Sequence, residues 1–189
     1  MMKDGSYYPA SKNMINLPLV TIIISNYNDK ENLRECLLSL LKLDYPRYEI
    51  IVVDAGSDDN SVRMIKKYFP SVKLIACKKR IGIGEAINLG LRYARGDIIV
   101  FDFNSDEVAT KKWLRTLIEP LLSDANIGVA CGIRLIYGTS MVDDAGLKIT
   151  FFGHIYNIWR GVSYHAIPKN NIIDVDIVTN LAVRRSLLK

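Results

Sequence analysis

Cysteine, histidine and long apolar runs are scarce in this 189-residue chain, and each scarcity removes a class of explanation. The three cysteines, Cys36, Cys77 and Cys131, are widely separated and odd in number. None forms a Cys-x-x-Cys pair, so neither a zinc site nor a disulfide framework is indicated. Each sits among apolar residues, which predicts small core filler in a reducing compartment. The two histidines, His154 and His165, lie too far apart for a metal pair on one helix and read as surface or packed loop residues. No apolar stretch approaches the ~18 residues of a membrane span, and the N-terminus has no signal-peptide core, so the expected location is cytoplasmic. Acidic residues are outnumbered: net charge is +5 and the isoelectric point is near 9.0. That favours anionic partners such as nucleotides, nucleic acid or a lipid surface. Basic residues are scattered apart from Lys78-Lys79-Arg80 and Arg184-Arg185. No aromatic-plus-basic platform of the kind that single-stranded nucleic acid needs is present, which argues against nucleic acid as the partner.

What is there is ordinary in amount and specific in pattern. At 49% hydrophobic and 24% charged, the chain fits one globular domain with a sizeable core. Residues 1–17 are polar and irregular and read as a loosely held tail. Val20 to Ile24 forms a buried strand that ends abruptly in Ser25-Asn26-Tyr27-Asn28. Leu33, Cys36, Leu37, Leu40 and Leu41 then mark a helix that stops at Asp44-Tyr45-Pro46. Glu49 to Val53 is a second buried strand, halted at Asp54 by Ala55-Gly56-Ser57-Asp58-Asp59. Ser57, Asn60 or Ser61 is positioned to cap the next helix, whose apolar positions are Val62, Ile65 and Phe69 and which Pro70 closes. Val72 to Cys77 is a third strand. Gly82 to Ala94 is a helix closed by Gly96 at the C′ position, and Asp97 to Phe103 a fourth strand. An amphipathic helix over Lys111 to Leu122 and a strand over Ile127 to Cys131 complete a strand–helix rhythm. That rhythm predicts a mostly parallel α/β sheet covered on both faces.

After Gly132 the rhythm breaks. Gly138 to Asn171 reads as a loop rich in glycine and aromatics. Val175 to Val178 reads as a last strand running into Asn180-Leu181-Ala182 and a helix start at Arg184, one turn before the chain stops at Lys189. That ending suggests a truncated chain.

Three strand ends carry polar clusters: Ser25 to Asn28, Asp54 to Asp59, and Asn104-Ser105-Asp106-Glu107. If the strands are parallel neighbours, all three open at the sheet edge where ligands bind. A buried strand-end carboxylate is costly unless paired, so Asp54 either caps its turn or meets a ligand. The loop Lys78 to Gly84 brings cations and a helix N-terminus suited to an anion. Carboxylates beside cations suggest a nucleotide diphosphate bridged by a hard divalent ion, magnesium or manganese. Gly82-Ile83-Gly84 is not a dinucleotide fingerprint, because Ile87 replaces its third glycine and the motif follows the third strand.

In order and spacing, PLVTIIISNYN, EIIVVDAGSDDNS, RIGIGEAINLGLRYARGDIIVF and FNSDE resemble the signatures of family-2 glycosyltransferases. The likeness covers Pro18 to about Leu122. It continues more faintly through Asp144-Ala145-Gly146, Gly153 and the Asn180 to Leu188 stretch, similar to the rhamnosyltransferase-like branch. The resemblance implies a GT-A fold and inverting transfer from a nucleotide-diphosphate sugar to a glycan or lipid-linked acceptor, as in cell-surface polysaccharide biosynthesis. It assigns residues 18–122 to the nucleotide-sugar half and 123–189 to part of the acceptor side. It implies that Ser25 to Asn28 wrap the nucleotide with Tyr27 against the base, and that Asp54 accepts from the base imide. Arg80 and Gly82 would lie near base or phosphates, Asn104 would border the nucleotide, and Asp106 would be the metal ligand. Peripheral attachment to the inner membrane face is compatible with it, with Arg184-Arg185 on a solvated helix face or against lipid phosphate.

Departures from the family pattern are Ala55 where a second Asp is common, Arg80 where Asn is common, and Asn104 at the head of the metal motif. Asp102-Phe103-Asn104 is an alternative register. The family's general base falls beyond Lys189. Asp143, Asp144, Asp174 and Asp176 do not match its motif and read as solvated loop or strand-edge carboxylates. Tyr156, Trp159 and Tyr164 either stack on an acceptor sugar or cover the sheet edge. Two other readings stand beside transfer. One is a non-catalytic nucleotide-sugar binder lacking the base. The other is a nucleotidyltransferase, which Ser25-Asn26-Tyr27-Asn28, with neither glycine nor cation, disfavours.

Overall fold

Two runs that are apolar on both faces cannot lie at a surface, and they form the centre of the sheet. In a computed structural model, which describes residues 17–101, 103–168 and 180–188, β1 (Val20–Asn26) and β2 (Tyr48–Asp54) pair in parallel. Val20 lies opposite Tyr48, and Asn26 opposite Asp54. β3 (Lys73–Ala76) and β4 (Ile98–Phe101) flank them, also in parallel. Helices α1 (Lys30–Leu40), α2 (Ser61–Tyr68) and α4 (Trp113–Ser123) cover one face, and Leu33, Leu37, Ile65 and Ile118 join Ile22, Ile24 and Val52 in one core. Alternate residues Ile23, Ile51 and Val53 face the other way, against Ala86 of α3 (Ile83–Tyr93). Gly90 lets α3 approach closely, since a Cβ there would meet Ile23 at 2.6 Å.

Beyond α4 the chain forms β5 (Val129–Cys131), β6 (Arg134–Leu135), β7 (Val142–Asp144), β8 (Leu147–Ile149), β9 (Ile155–Asn157) and β10 (Leu181–Arg184). The main sheet runs β3-β2-β1-β4-β10-β5, with β10 antiparallel to both of its neighbours. Two expectations are corrected here. The stretch after Gly138 is not simply a loop: β6 pairs with β7 and β8 with β9, as two small antiparallel ribbons. Leu181 to Arg184 is a strand, followed by a short 3₁₀ turn over Arg185–Leu187, where a helix start was expected. Asp102, Asp174, Asp176, the strand expected over Val175 to Val178 and all of the tail but Leu17 lie outside the described residues.

Smaller corrections concern caps. None of Ser57, Asn60 and Ser61 donates or accepts a side-chain cap for α2. Asn60 holds the cap position at φ 69° without one. Asp59 does the work, accepting from the Ser61 amide at 2.9 Å and from the Lys30 amide at the start of α1 at 2.8 Å. Gly96 is not a left-handed C′ residue either. It is required by proximity, because a Cβ there would lie 2.5 Å from the Thr21 amide nitrogen. Cys36 is buried and Cys77 partly so, but Cys131 is exposed and fills no core.

Thr21 also anchors the opposite end of the sheet from the polar clusters. Its hydroxyl accepts from the Gly96 amide at 2.8 Å and donates to Glu49 at 2.7 Å. Glu49 accepts further from the Arg95 amide and guanidinium at 2.7–3.0 Å. Burial pushes the Glu49 carboxyl up, but the bonds from Thr21 and Arg95 outweigh it and hold the group below the ordinary glutamate value. A folded pKa that is lowered adds stability above the unfolded pKa and loses it as pH falls through the folded value. Glu49→Gln should therefore flatten the acid limb of stability below about pH 4.5. Urea midpoints taken from about pH 6 down to pH 3 check this, and parallel curves for the two proteins would refute it.

Candidate functional site

Because β1, β2 and β4 are parallel, their polar C-terminal ends emerge at one edge. Asp54 is 1% exposed, so its charge must be met within the protein. One carboxylate oxygen accepts from the backbone amides of Ser57 (2.9 Å) and Gly56 (3.3 Å). The other accepts from the Asn26 amide group (2.9 Å) and the Ser57 hydroxyl (2.7 Å). Asp54 thus caps its own turn and ties the end of β2 to the end of β1. Ser57 also accepts from the Asn28 amide at 2.9 Å, and the Asn28 side chain accepts from the Asp58 amide at 2.9 Å. Asn28 sits at φ 49°, a conformation that asparagine tolerates better than most residues.

Gly56 is the second fixed point. It lies at φ +91°, and a Cβ would come within 2.6 Å of Lys79 and 2.8 Å of the Arg80 backbone. The Lys78–Arg80 loop is therefore pressed against the β2 turn, where Ile81 donates to the Ala55 carbonyl at 3.3 Å. This contact delivers Arg80 to Tyr27, with the guanidinium carbon 4.4 Å from the ring centroid. Tyr27 is 41% exposed, so the pair is a flat cationic platform open to solvent. Gly82 precedes α3 in an extended conformation, and a Cβ there or at Gly84 would touch nothing within 4 Å. Neither the backbone nor a neighbouring protein atom demands glycine at these two positions. Ser25 is half-buried in β1, and its backbone lies opposite Val53.

The third polar end follows β4. Asn104 donates to Glu107 at 3.2 Å, and the Ser105 hydroxyl donates to Asp29 at 2.8 Å. Asp106 is exposed and has no hydrogen-bond or ion-pair partner among the described residues. The Cys36 thiol, whose Sγ lies 3.8 Å from the Asn104 carbonyl oxygen, is pushed well up, first by burial and then by Glu107, Asp106 and Asp29. The field at this loop is negative. Among the described residues no group of three or more histidine, cysteine, aspartate or glutamate side chains converges on one point. An ion at this loop would have Asp106 as its one unpartnered carboxylate and would need most of its oxygens from a bound ligand, as hard divalent ions do beside phosphates.

Sequence reasoning missed the network behind that loop. Glu107 accepts from Asn180 at 2.9 Å and from Arg134 at 3.4 Å. Arg134 also bonds Asp143 at 2.9 Å and pairs with Asp144 at 3.6 Å. Burial raises the Glu107 carboxyl above its ordinary value despite the bonds from Asn180 and Arg134. Asp143 and Asp144, in β7, are thus partners of the Arg134 guanidinium in β6, and Asp144 is buried instead of solvated. Arg184 and Arg185 do not lie on a helix face. Arg184 clamps the Ile127, Leu121 and Asp124 carbonyls, and Arg185 the Ala94 carbonyl. His154 and His165 are exposed, as are Tyr156 and Tyr164, while Trp159 packs on Val142, Ala145 and Ile167.

The chain belongs to glycosyl transferase family 2, whose model matches residues 21–189. An uncharacterized glycosyltransferase of Bacillus subtilis is 36% identical over 116 residues, covering 60% of this chain and 29% of the relative. A mannosyltransferase from Pyrobaculum calidifontis, in complex with GDP-Man and Mn2+, superposes with TM-score 0.56 at 28% identity, covering 64% of this chain and 37% of that one. Staphylococcus aureus TarS in complex with UDP-GlcNAc gives TM-score 0.57 at 26% identity, covering 65% and 38%. The fold is GT-A, and the chain spans well under half the length of these relatives.

Replacing Asp54 by alanine strips acceptors from buried donors on Asn26 and Ser57. Asp54→Ala should lower stability by about 1–3 kcal/mol, read from the urea midpoint. An unchanged midpoint would mean that the turn stands without its carboxylate.

Proposed function

We propose that this chain transfers a sugar, with inversion, from a nucleotide-diphosphate donor to a glycan or lipid-linked acceptor. The observation that carries this reading is that three polar strand ends open at one sheet edge, where the turn after β2 sets Arg80 on Tyr27. Ser25, Tyr27, Asn28, Arg80, Gly82 and Asn104 line the nucleotide. Asp54, with both oxygens bonded, serves the base chiefly by fixing the turn that meets it. Residues 18–122 supply the donor half and 123–189 part of the acceptor side. The neighbour solved with GDP-Man and Mn2+ supports metal use, and Asp106 would hold a magnesium or manganese ion. When bound, that ion supplies electrostatic stabilisation of the departing diphosphate.

In the reaction the acceptor hydroxyl oxygen bonds to the anomeric carbon as the bond to the diphosphate breaks. The hydroxyl proton passes to a carboxylate base, for which we assign no residue. The resemblance to the rhamnosyltransferase-like branch suggests a hexosyl or deoxyhexosyl donor and a role in cell-surface polysaccharide synthesis at the cytoplasmic membrane face. No helix of the described residues is long and apolar enough to cross a membrane. A second reading is a nucleotide-sugar binder that does not transfer.

Calorimetric titration with UDP, GDP and dTDP, with and without manganese, tests the donor site. One of the three should bind, more tightly with metal. Asp106→Ala should weaken the metal-dependent binding by at least about tenfold and leave metal-free binding nearly intact. Silence with all three nucleotides would overturn the reading, and turnover of the matching nucleotide sugar separates transferase from binder.

A further inference from the structure

The outward faces of α1 and α2 carry a charge pattern that the sheet-edge site leaves unused. Lys30 and Arg34 stand one turn apart on α1, and Arg63 and Lys67 one turn apart on α2. Like charges at that spacing repel and destabilise a helix unless an opposite charge lies over them. Both pairs face a groove between the helices of about 500 Å³, which Tyr68 also lines. A second cavity of about 430 Å³ lies beside it, sharing Asn60 and Arg63 and lined also by Lys66 and Asp58.

Two carboxylates share this surface with the cations: Glu31 lines the groove beside its partner Lys30, and Asp58 lines the second cavity. Glu31 pairs with Lys30 at 2.9 Å, Glu35 accepts from the Tyr137 hydroxyl, and Asp59 caps the two helices. Arg34 and Arg63 have no carboxylate partner among the described residues. The cations converge: Lys67 lies 4.7 Å from the Tyr68 ring centroid, and the Tyr68 hydroxyl is pushed below its ordinary value by Lys67 first and then by Arg34 and Arg63.

We propose that this groove binds a phosphate-bearing anion, with Arg34 and Arg63 as forked donors and Lys67 as a point charge. Guanidinium forks match phosphate oxygens in pairs, and two of them from different helices fix such a group from both sides. The groove has room for a diphosphate or phosphodiester. The groove is separate from the sheet-edge platform, meeting it only at the Ser57–Asp58 turn. An anionic lipid headgroup and a soluble phosphate ester offer the same chemistry.

The test is a titration of the isotope-labelled full chain with sodium pyrophosphate at low salt and without metal, followed by amide NMR shifts. Saturable shifts should appear at Arg34 and across Arg63 to Tyr68. Binding there should weaken by about tenfold or more in Arg34→Ala/Arg63→Ala and persist in the charge-matched Lys42→Ala/Lys111→Ala. Shifts confined to Asn26–Asn28, Gly56 and Arg80 would overturn the proposal by sending pyrophosphate to the nucleotide edge. Equal weakening in both double variants would overturn it too, as a net-charge effect. Flotation with phosphatidylcholine vesicles containing phosphatidylglycerol then identifies the source. Vesicle binding lost in the groove variant means a lipid headgroup, and no vesicle binding with pyrophosphate binding intact means a soluble ester.

Discussion

A buried negative charge at the end of a strand has to be neutralised by whatever lies within reach, and the architecture of the sheet edge follows from how Asp54 achieves this. Its four donors come from two segments, Asn26 at the end of β1 and the Gly56–Ser57 turn after β2. Satisfying them fixes the relative height of the two strand ends and the path of the turn. Gly56 then accepts the Lys79–Arg80 backbone against it, and Arg80 comes to rest on Tyr27. One carboxylate thereby sets the position of a cation two loops away. The residue that looks most like a ligand contact in the sequence acts first as the keystone of the surface that a ligand would meet.

Much of this was legible from residue order. Val20 to Ile24 and Ile50 to Val53 are apolar on both faces, which leaves a central parallel strand as their only comfortable setting, and the polar breaks after them fall at one edge as a consequence. What escaped was whatever depends on partners distant in sequence. Leu181 to Arg184 looks like the entry to a helix because its strand character comes from lying between β4 and β5, not from its own pattern. Arg134 is one basic residue among many until the fold sets Glu107, Asp143 and Asp144 around it. Arg184 and Arg185 look like a solvated pair, yet their guanidinium groups satisfy backbone carbonyls at the ends of other elements. Asp59 hides among four adjacent polar residues, any of which could cap a helix by type alone.

The charges are sorted by face. Carboxylates gather around the loop after β4 and add to the burial that keeps the Cys36 thiol beneath them from ionising. Cations gather on the outer faces of α1 and α2 and in the Lys78–Arg80 loop. A modest net positive charge therefore conceals two regions of opposite sign. Arg134 links the acidic loop to the β6–β7 ribbon, bonding Glu107 on one side and Asp143 on the other.

The place of β10 in the sheet has a consequence for how the protein is made. Strands β1 to β4 leave the ribosome early and can pair with one another at once, but the outer edge of β4 must wait for Leu181 to Arg184. Until then it presents unpaired amides and carbonyls beside Ile98, Ile99 and Val100, a template to which another extended chain can add. With β10 in place, that edge is closed and β5 is joined to the sheet through the same strand. Nascent chains released short of this strand would carry the polar turns after β1 and β2 already formed and yet be the species most prone to associate.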